Sequence, residues 1–395
     1  MQPSSSDSAN AILQQDRKNG ISGLIVAPIG YLMVLFLPVF LEVASQQLAL
    51  TPSQVGRLGA MDSLGLAIGT LLCAIYIKRL NFRIAVTLGA VICIITNVVS
   101  AFVTDFTDLC MIRVVAGLGE GLLVAIGVTA VGMTSLPERW FGFYTAAIVF
   151  VQAIGLLIIA PIFNQWQLLG VFITMALIYA IPLAVIWMLP ARSVVAEVVS
   201  SASQPTGKLM LAMLSMLFFY LCIGGVWAYV SFMGTSQGLS LGYVSNSLAI
   251  SMVSGFFGAI FFAVIGHHAR SIPLLVASTA IMIVSLYFLS HFESATSYLI
   301  ITCVYGFFWS VIGARLFSAI SDADQSGRYI SAAQTVLGMG VALGPFLASL
   351  LVDDFGYAGV NGMAALALVL CLLSILPLAI RSCLPVSSMP TTTAD

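Results

Sequence analysis

Charge is what this sequence has least of. Asp, Glu, Lys and Arg make up 7% of its 395 residues, against about 25% in an ordinary soluble domain, and that excludes a water-facing globular surface. Cysteine offers no framework either. Cys73, Cys93, Cys110, Cys222, Cys303, Cys371 and Cys383 are odd in number, scattered, and never in CxxC spacing, which argues against disulfide or metal chemistry. No G-x-x-x-x-G-K-[ST] loop is present to cradle nucleotide phosphates, and no nucleophile and base are arranged for catalysis, so neither ATP hydrolysis nor an enzyme is expected. His267 and His268 beside Arg270 lack an acidic or cysteine partner nearby. No metal, no cofactor and no nucleic-acid partner are expected. The first twenty residues, MQPSSSDSANAILQQDRKNG, lack the apolar core and cleavage site of a secretory signal and are expected to form a flexible tail.

What is abundant is apolar. Hydrophobic residues make up 60% of the chain and the mean hydropathy is +1.09. They fall into twelve stretches, roughly 22–45, 54–77, 84–103, 109–132, 141–163, 168–189, 208–232, 245–266, 273–290, 297–319, 330–352 and 358–380. Each is long enough as a helix to cross a hydrocarbon core of about 30 Å. None shows the dyad alternation of a membrane strand, so helices are what satisfies the backbone in lipid. The fold class expected is all-α integral membrane.

The few basic residues are unevenly placed. Arg17, Lys18, Lys78, Arg79, Arg83, Arg139, Arg192, Lys208, Arg270, Arg328 and Arg381 all fall on one side if the spans alternate, whereas Asp105, Asp108, Glu293, Asp353 and Asp354 fall on the other. The positive-inside rule then puts both termini in the cytoplasm. The stretch ARSVVAEVVSSASQPTGK at 191–208 divides the spans six and six. The divisions expected are a tail over 1–20, a six-helix bundle over 21–190, a cytoplasmic linker over 191–207, a second bundle over 208–381 and a tail over 382–395. GFYTAA at 142–147 compares with GRYISA at 327–332, and the same offset carries Gly155 onto Gly340. Spans 5 and 11 are thereby paired, as duplication of a six-span unit demands.

These features resemble the major facilitator superfamily of secondary transporters, over nearly the whole chain. The start of span 4, Arg113-Val-Val-Ala-Gly117-Leu-Gly119-Glu120-Gly121, is similar to the superfamily's fourth-helix signature, and Pro137-Glu138-Arg139-Trp140-Phe141-Gly142 to its P-E-R-x-x-G loop. Asp324-Gln-Ser-Gly327-Arg328 and Gly340-Val-Ala-Leu-Gly344-Pro345 are similar to the second-half equivalents. One signature is degraded: after span 2, Lys78 stands where the family has an Asp that latches the halves, and Asn81 where it has Gly. The resemblance implies two pseudo-symmetric six-helix bundles, twelve transmembrane helices in all, that expose a midplane site alternately to each side. It marks Lys78, Arg79, Arg83, Arg139 and Arg328 as cytoplasmic loop or gating residues. It also makes spans 1, 4, 7 and 10 the cavity-lining helices, with Tyr31, Trp227, Tyr229, Tyr305 and Trp309 as candidate lining residues.

Three charges, Asp62, Arg113 and Glu120, lie well away from the ends of their spans or in the fourth-helix signature. Glu120 is about eleven residues into span 4, where an ionised group costs about 2.5 to 3.5 kcal/mol on insertion scales and needs a cavity or a proton. A proton-coupling role and a static, hydrogen-bonded packing role are both open to it. Arg113 precedes it by two turns, about 10.5 Å along the helix, so the two cannot simply pair. Asp62 in span 2 and Glu42 in span 1 are the acids available to Arg113, as a structural ion pair; alternatively its planar fork could bind an anionic substrate. The glycines at 117, 119 and 121 are expected to let helices approach closely. Asn97, Gln152 and Gln334 are expected to hydrogen-bond across helices.

The function expected is secondary transport of a small organic solute, an organic anion with aromatic members included, coupled to a proton, by a monomer in the lipid bilayer of a bacterial inner membrane. Export of amphipathic compounds or a metabolite is the second transport reading. It is weakened because span 5 reads Gly155-Leu-Leu-Ile-Ile-Ala160-Pro161, without the second Gly of the G-x-x-x-G-P motif of drug-exporting members. A receptor or assembly partner of transporter-like shape would be expected to lose its intramembrane charges or gain a soluble domain.

Overall fold

The computed structural model describes residues 5–77, 79–191, 207–265, 271–323 and 328–382. Among these, ten helical segments are long and apolar enough to cross a membrane. Two are too long for one crossing: Arg139–Met188 has 50 residues and Thr335–Pro377 has 43, about 75 and 65 Å as straight helices. Each is broken where the backbone enters positive φ, at Gln167 (φ 56°) and Gly356 (φ 60°), and the two breaks bring the crossings to the expected twelve. The glycine suits that backbone. Gln167 adopts it at a cost, next to Leu168, whose N–H is bound by Gln47 Oε1 at 2.8 Å.

Span 1 is Ser5–Gly30 continued by Leu32–Leu48; spans 2, 3 and 4 are Pro52–Tyr76, Phe82–Ser100 and Phe106–Gly132. Spans 5 and 6 share Pro137–Tyr179, extended by Ile181–Val185 and Ile186–Met188. Spans 7 to 10 are Gly207–Thr235, Leu241–Ile265, Ser271–Leu289 and Ala295–Ala323, and spans 11 and 12 share Arg328–Ser382. Local chemistry sets the starts. Thr51 and Gln54 form a capping box ahead of Pro52, Asn81 caps span 3 through Arg83 N–H at 3.0 Å, and Asp105 caps span 4 through Thr107 and Asp108 N–H at 2.8 and 3.0 Å.

One expectation changes. The stretch expected as a flexible tail over 1–20 is helical from Ser5, and it buries Asn19 and Gly20. It carries no glycine or proline from Ser5 to Asn19 to stop a helix, and Asp16 fastens it by accepting hydrogen bonds from Ser135 N–H and Oγ. The linker expected over 191–207 and the tail over 382–395 lie almost wholly outside the described residues, as do Lys78, His267, His268 and Arg270.

Within the first bundle, span 4 packs on spans 1, 2 and 3; within the second, span 7 packs on span 11 and span 10 on spans 8 and 9. Glycine permits the closest of these approaches. A β-carbon on Gly121 would stand 2.5 Å from Leu66 O and 2.6 Å from Thr70 N in span 2, and one on Gly119 would stand 2.8 Å from Gly89 O in span 3. The expected repeat is visible at the matched pair: Gly155 of span 5 lies against the Phe36 ring of span 1, and Gly340 of span 11 against Tyr220 of span 7. Between bundles the contacts obey the same pseudo-symmetry, span 2 on 11, span 8 on 5 and span 1 on 7.

Candidate functional site

Span 4 presents its two charges to the inside of the first bundle. Arg113 is wholly buried and Asp62 is 1% exposed, and Nη1 of the one lies 3.8 Å from Oδ1 of the other. Of the acids named from sequence, Asp62 is thus the partner and Glu42 is not. The guanidinium also donates from Nη2 to Ser100 Oγ of span 3 at 3.2 Å, and its Cζ sits 5.4 Å from the centroid of the Phe172 ring of span 6. Arg113 is therefore enclosed by spans 2, 3 and 6.

Glu120, two turns further along the same helix, is also wholly buried. Its Oε1 accepts a hydrogen bond from Tyr179 Oη of span 6 at 2.7 Å. Asp62 belongs to the same buried cluster, and neither of its carboxyl oxygens has a hydrogen-bond partner among the described residues. Arg113 and Glu120 do not pair directly among the described contacts, as the two-turn spacing demands; Asp62 stands between them. The cluster has spare polar capacity, since Asp62 Oδ1 and Oδ2, Arg113 Nε and Nη1, Glu120 Oε2 and Ser63 Oγ are buried with no hydrogen-bond partner among the described residues. Ser100, Phe172 and Tyr179 were not legible as members from sequence, because an isolated Ser, Phe or Tyr in an apolar span gives no signal of the face it occupies.

The aromatic candidates divide into two sets. Trp227 and Tyr229 of span 7 reach across to the other bundle: Trp227 Nε1 donates to Val34 O at 2.9 Å and Tyr229 Oη to Pro52 O at 2.8 Å. They fasten the bundles together where the sequence suggested a cavity lining. Tyr31 stands between Gly30 and Leu32, where Pro28 removes a helix donor and span 1 is interrupted. It is half-buried and lies within electrostatic reach of the half-buried Tyr144 of span 5 and Tyr220 of span 7. Tyr31 thus has one phenol of each bundle in its surroundings; Tyr144 and Tyr220 were missed from sequence. Tyr305 Oη lies 3.7 Å from Cys222 Sγ, and Trp309 packs on Trp227 with centroids 6.2 Å apart.

The expected loop residues are dispersed. Arg79 is exposed; Arg139 lies over Phe143 at 5.7 Å; Arg83 donates from Nε to Leu189 O at 2.9 Å and covers Trp187 at 5.9 Å, joining spans 3 and 6 of one bundle. Lys78 and the side chains of Arg328 and Gln334 are outside the described residues. Gln152 bonds across helices, to Leu35 O at 3.2 Å, whereas Asn97 bonds within its own helix, to Cys93 O at 2.8 Å.

Contacts between bundles gather toward one end, which holds the turn between spans 1 and 2 and is here called the far end. Besides Trp227 and Tyr229, Thr235 Oγ1 bonds Glu42 Oε1 at 2.9 Å, Ser53 N–H bonds Asp353 Oδ1 at 3.2 Å, and Ser245 Oγ bonds Leu156 O. Gly56 makes room for this seam, since a β-carbon there would stand 2.6 Å from Pro345 O and 2.8 Å from Ser349 Cβ. The far end is closed.

Comparison with known proteins agrees with this architecture. The Major Facilitator Superfamily profile matches residues 22–323. The probable L-galactonate transporter of Escherichia coli (strain K12) is 28% identical over 155 residues, 38% of this chain and 33% of that relative's length. Among solved structures, a mutant of the nucleoside transporter NupG aligns with a TM-score of 0.72 at 13% identity, over 91% of this chain and 99% of that one. The D-xylose-proton symporter aligns with a TM-score of 0.70 at 15% identity, over 91% and 97%. A bacterial homologue of the human lysosomal transporter Spinster, inward-facing and unoccupied, aligns with a TM-score of 0.70 at 12% identity, over 93% and 97%. At these identities the likeness to the solved structures is one of fold. From the profile match and the twelve-span, two-bundle architecture together, the chain belongs to the Major Facilitator Superfamily, as a membrane transporter rather than an enzyme.

Proposed function

We propose that the protein is a proton-coupled secondary transporter, a monomer of the bacterial inner membrane that carries a small hydroxylated organic solute, of the sugar-acid or sugar type, by alternating access. The observation that carries the coupling is the buried cluster of Asp62, Arg113 and Glu120. With one proton on its two carboxyls the cluster beside the guanidinium is neutral, and without that proton it carries one net negative charge. In a site closed to water such a change is energetically large, and spans 2, 4 and 6 that hold the cluster would feel it. With positive residues inside, the far end faces outward and the near end the cytoplasm.

The solute class rests on other observations. Arg113 is engaged by Asp62 and enclosed in one bundle, which argues against its use as a free anion contact. Tyr31, Tyr144 and Tyr220 offer hydroxyls that both donate and accept, suited to a solute with several hydroxyl groups. The names of an L-galactonate transporter and a D-xylose-proton symporter among similar proteins point the same way.

Purified protein in liposomes, given an imposed pH gradient and a panel of labelled aldonates, pentoses, hexoses and nucleosides, tests this. Accumulation of one hydroxylated class, abolished by a protonophore, is expected, and Glu120→Gln should lose accumulation while retaining solute exchange. Full gradient-driven accumulation by Glu120→Gln would exclude coupling through that residue. No movement of any solute in either direction would favour the receptor reading.

A further inference from the structure

Glu42 lies near the end of the Leu32–Leu48 helix of span 1 and is 5% exposed. Its Oε1 accepts from Thr235 Oγ1 of the opposite bundle at 2.9 Å and from Gln46 Nε2 at 3.1 Å, while Oε2 is buried with no partner among the described residues. The titratable groups facing it from neighbouring elements are the phenols of Tyr298 in span 10 and Tyr357 beyond the Gly356 break. Arg57 and Asp353 stand further along the seam, beside Tyr229. Among the described residues the one ion pair is Arg113 with Asp62, so no described cation meets Glu42.

Glu42 is thus unlike the other groups in the seam. Trp227, Tyr229 and Ser245 are neutral donors to backbone carbonyls, and Asp353 is exposed to water. A carboxylate buried without a cation is costly, and a neutral acid in the same place is not. Opening the far end would hydrate Glu42 and remove that cost. We propose that Glu42 is a second proton-linked residue of the transporter, separate from the Asp62 and Glu120 pair, which takes up a proton as the far end closes and, through Thr235, holds that end shut. The proton comes from far-side water and returns to it. Glu42 therefore sets when the far end opens and does not itself carry the coupled proton.

This rests on the alternating-access reading above, and its test is chosen to fail separately. Spin labels at Asp108→Cys and Gln237→Cys, exposed positions at the far end of the two bundles, in the full chain with native cysteines replaced, report bundle separation by electron–electron distance measurement across a pH series. The long-distance population should grow as pH rises with Glu42 present. In Glu42→Gln, whose amide keeps the Thr235 bond without a charge, the distance should stay short at every pH. Thr235→Val should raise the ratio of long to short populations about tenfold at a given pH, as loss of one hydrogen bond to this carboxyl implies. Glu42→Gln following the native pH dependence, or Thr235→Val leaving the ratio unchanged, overturns the proposal. One unvarying distance at every pH and with every solute overturns alternating access and this proposal with it. Solute uptake alongside pH-independent distances overturns the role of Glu42 alone.

Discussion

Tyr179 and Glu120 are joined by a 2.7 Å hydrogen bond between spans 6 and 4, the phenol donating to Oε1. Both groups are fully buried. Tyr179→Phe keeps the ring and removes the donor, leaving a buried carboxyl oxygen without its partner. A loss of about 1 to 3 kcal/mol in stability is expected, read as a lower melting temperature of the detergent-solubilised protein. Glu120→Gln retains an oxygen that accepts from Tyr179 and should melt closer to the native protein. If proton coupling runs through Glu120, transport orders the two variants the other way, with accumulation lost in Glu120→Gln and only reduced in Tyr179→Phe. Melting curves and uptake from the same preparations check both orders.

Asp62 and Arg113 form an ion pair within one bundle, and removing either partner leaves an uncompensated buried charge. Asp62→Asn and Arg113→Gln should each destabilise by about 3 to 5 kcal/mol, and the double variant by less than the sum of the two. Exchanging the charges, with Arg at 62 and Asp at 113, should not restore the native state. Arg113 also donates to Ser100 and lies over Phe172, and an arginine placed on span 2 cannot reproduce those contacts from span 4. A melting temperature fully recovered by the exchange would show that the pair acts as charge alone.

The twelve crossings were legible because lipid leaves few alternatives: apolar length sets each span, and a buried arginine must find an acid, so Asp62 and Glu42 could be named as candidates, between which only the structure decided. The glycines of span 4 were legible for the same kind of reason, as small residues at close helix contacts. What stayed hidden depends on which way a side chain faces. Tyr179, Tyr144 and Tyr220 look in sequence like any lipid-facing ring, and Trp227 and Tyr229 gave no sign that their polar atoms cross to the other bundle. The break at Gln167 falls in the gap expected between the stretches 141–163 and 168–189; only its positive φ at a glutamine was hidden. The helix from Ser5 was hidden because polarity alone does not exclude order: the stretch has no glycine or proline up to Asn19, and Asp16 ties it to Ser135.

Arg83 separates the family's expectation from this chain's geometry. The resemblance marks it as a gating residue, yet it binds Leu189 O and covers Trp187, so both partners lie in its own bundle. Cationic groups at a helix C-terminus are worth about 0.3 to 1 kcal/mol at a surface. Arg83→Ala should therefore lower stability by about 1 kcal/mol and leave the far-end label distances unchanged. A shift in those distances would assign Arg83 a part in gating after all.

Gly117 and Gly132 lie on the same helix and should respond oppositely to one methyl group. A β-carbon at Gly117 would fall against the backbone of span 2, 2.6 Å from Leu66 N and 2.9 Å from Gly65 C, and would strike Asp62 O; at Gly132 nothing lies within 4 Å. Backbone cannot move aside as a side chain can. Gly117→Ala must therefore push spans 2 and 4 apart, at an overpacking cost of about 1 to 3 kcal/mol. The displacement also moves Asp62 relative to Arg113 and Glu120, so uptake should fall further than stability alone accounts for. Gly132→Ala gains helix propensity of up to about 1 kcal/mol and leaves transport as it is. Melting temperature and initial uptake rate, measured for both variants, check this contrast. Equal responses at the two positions would mean that spans 2 and 4 are not in the close contact on which the charged cluster depends.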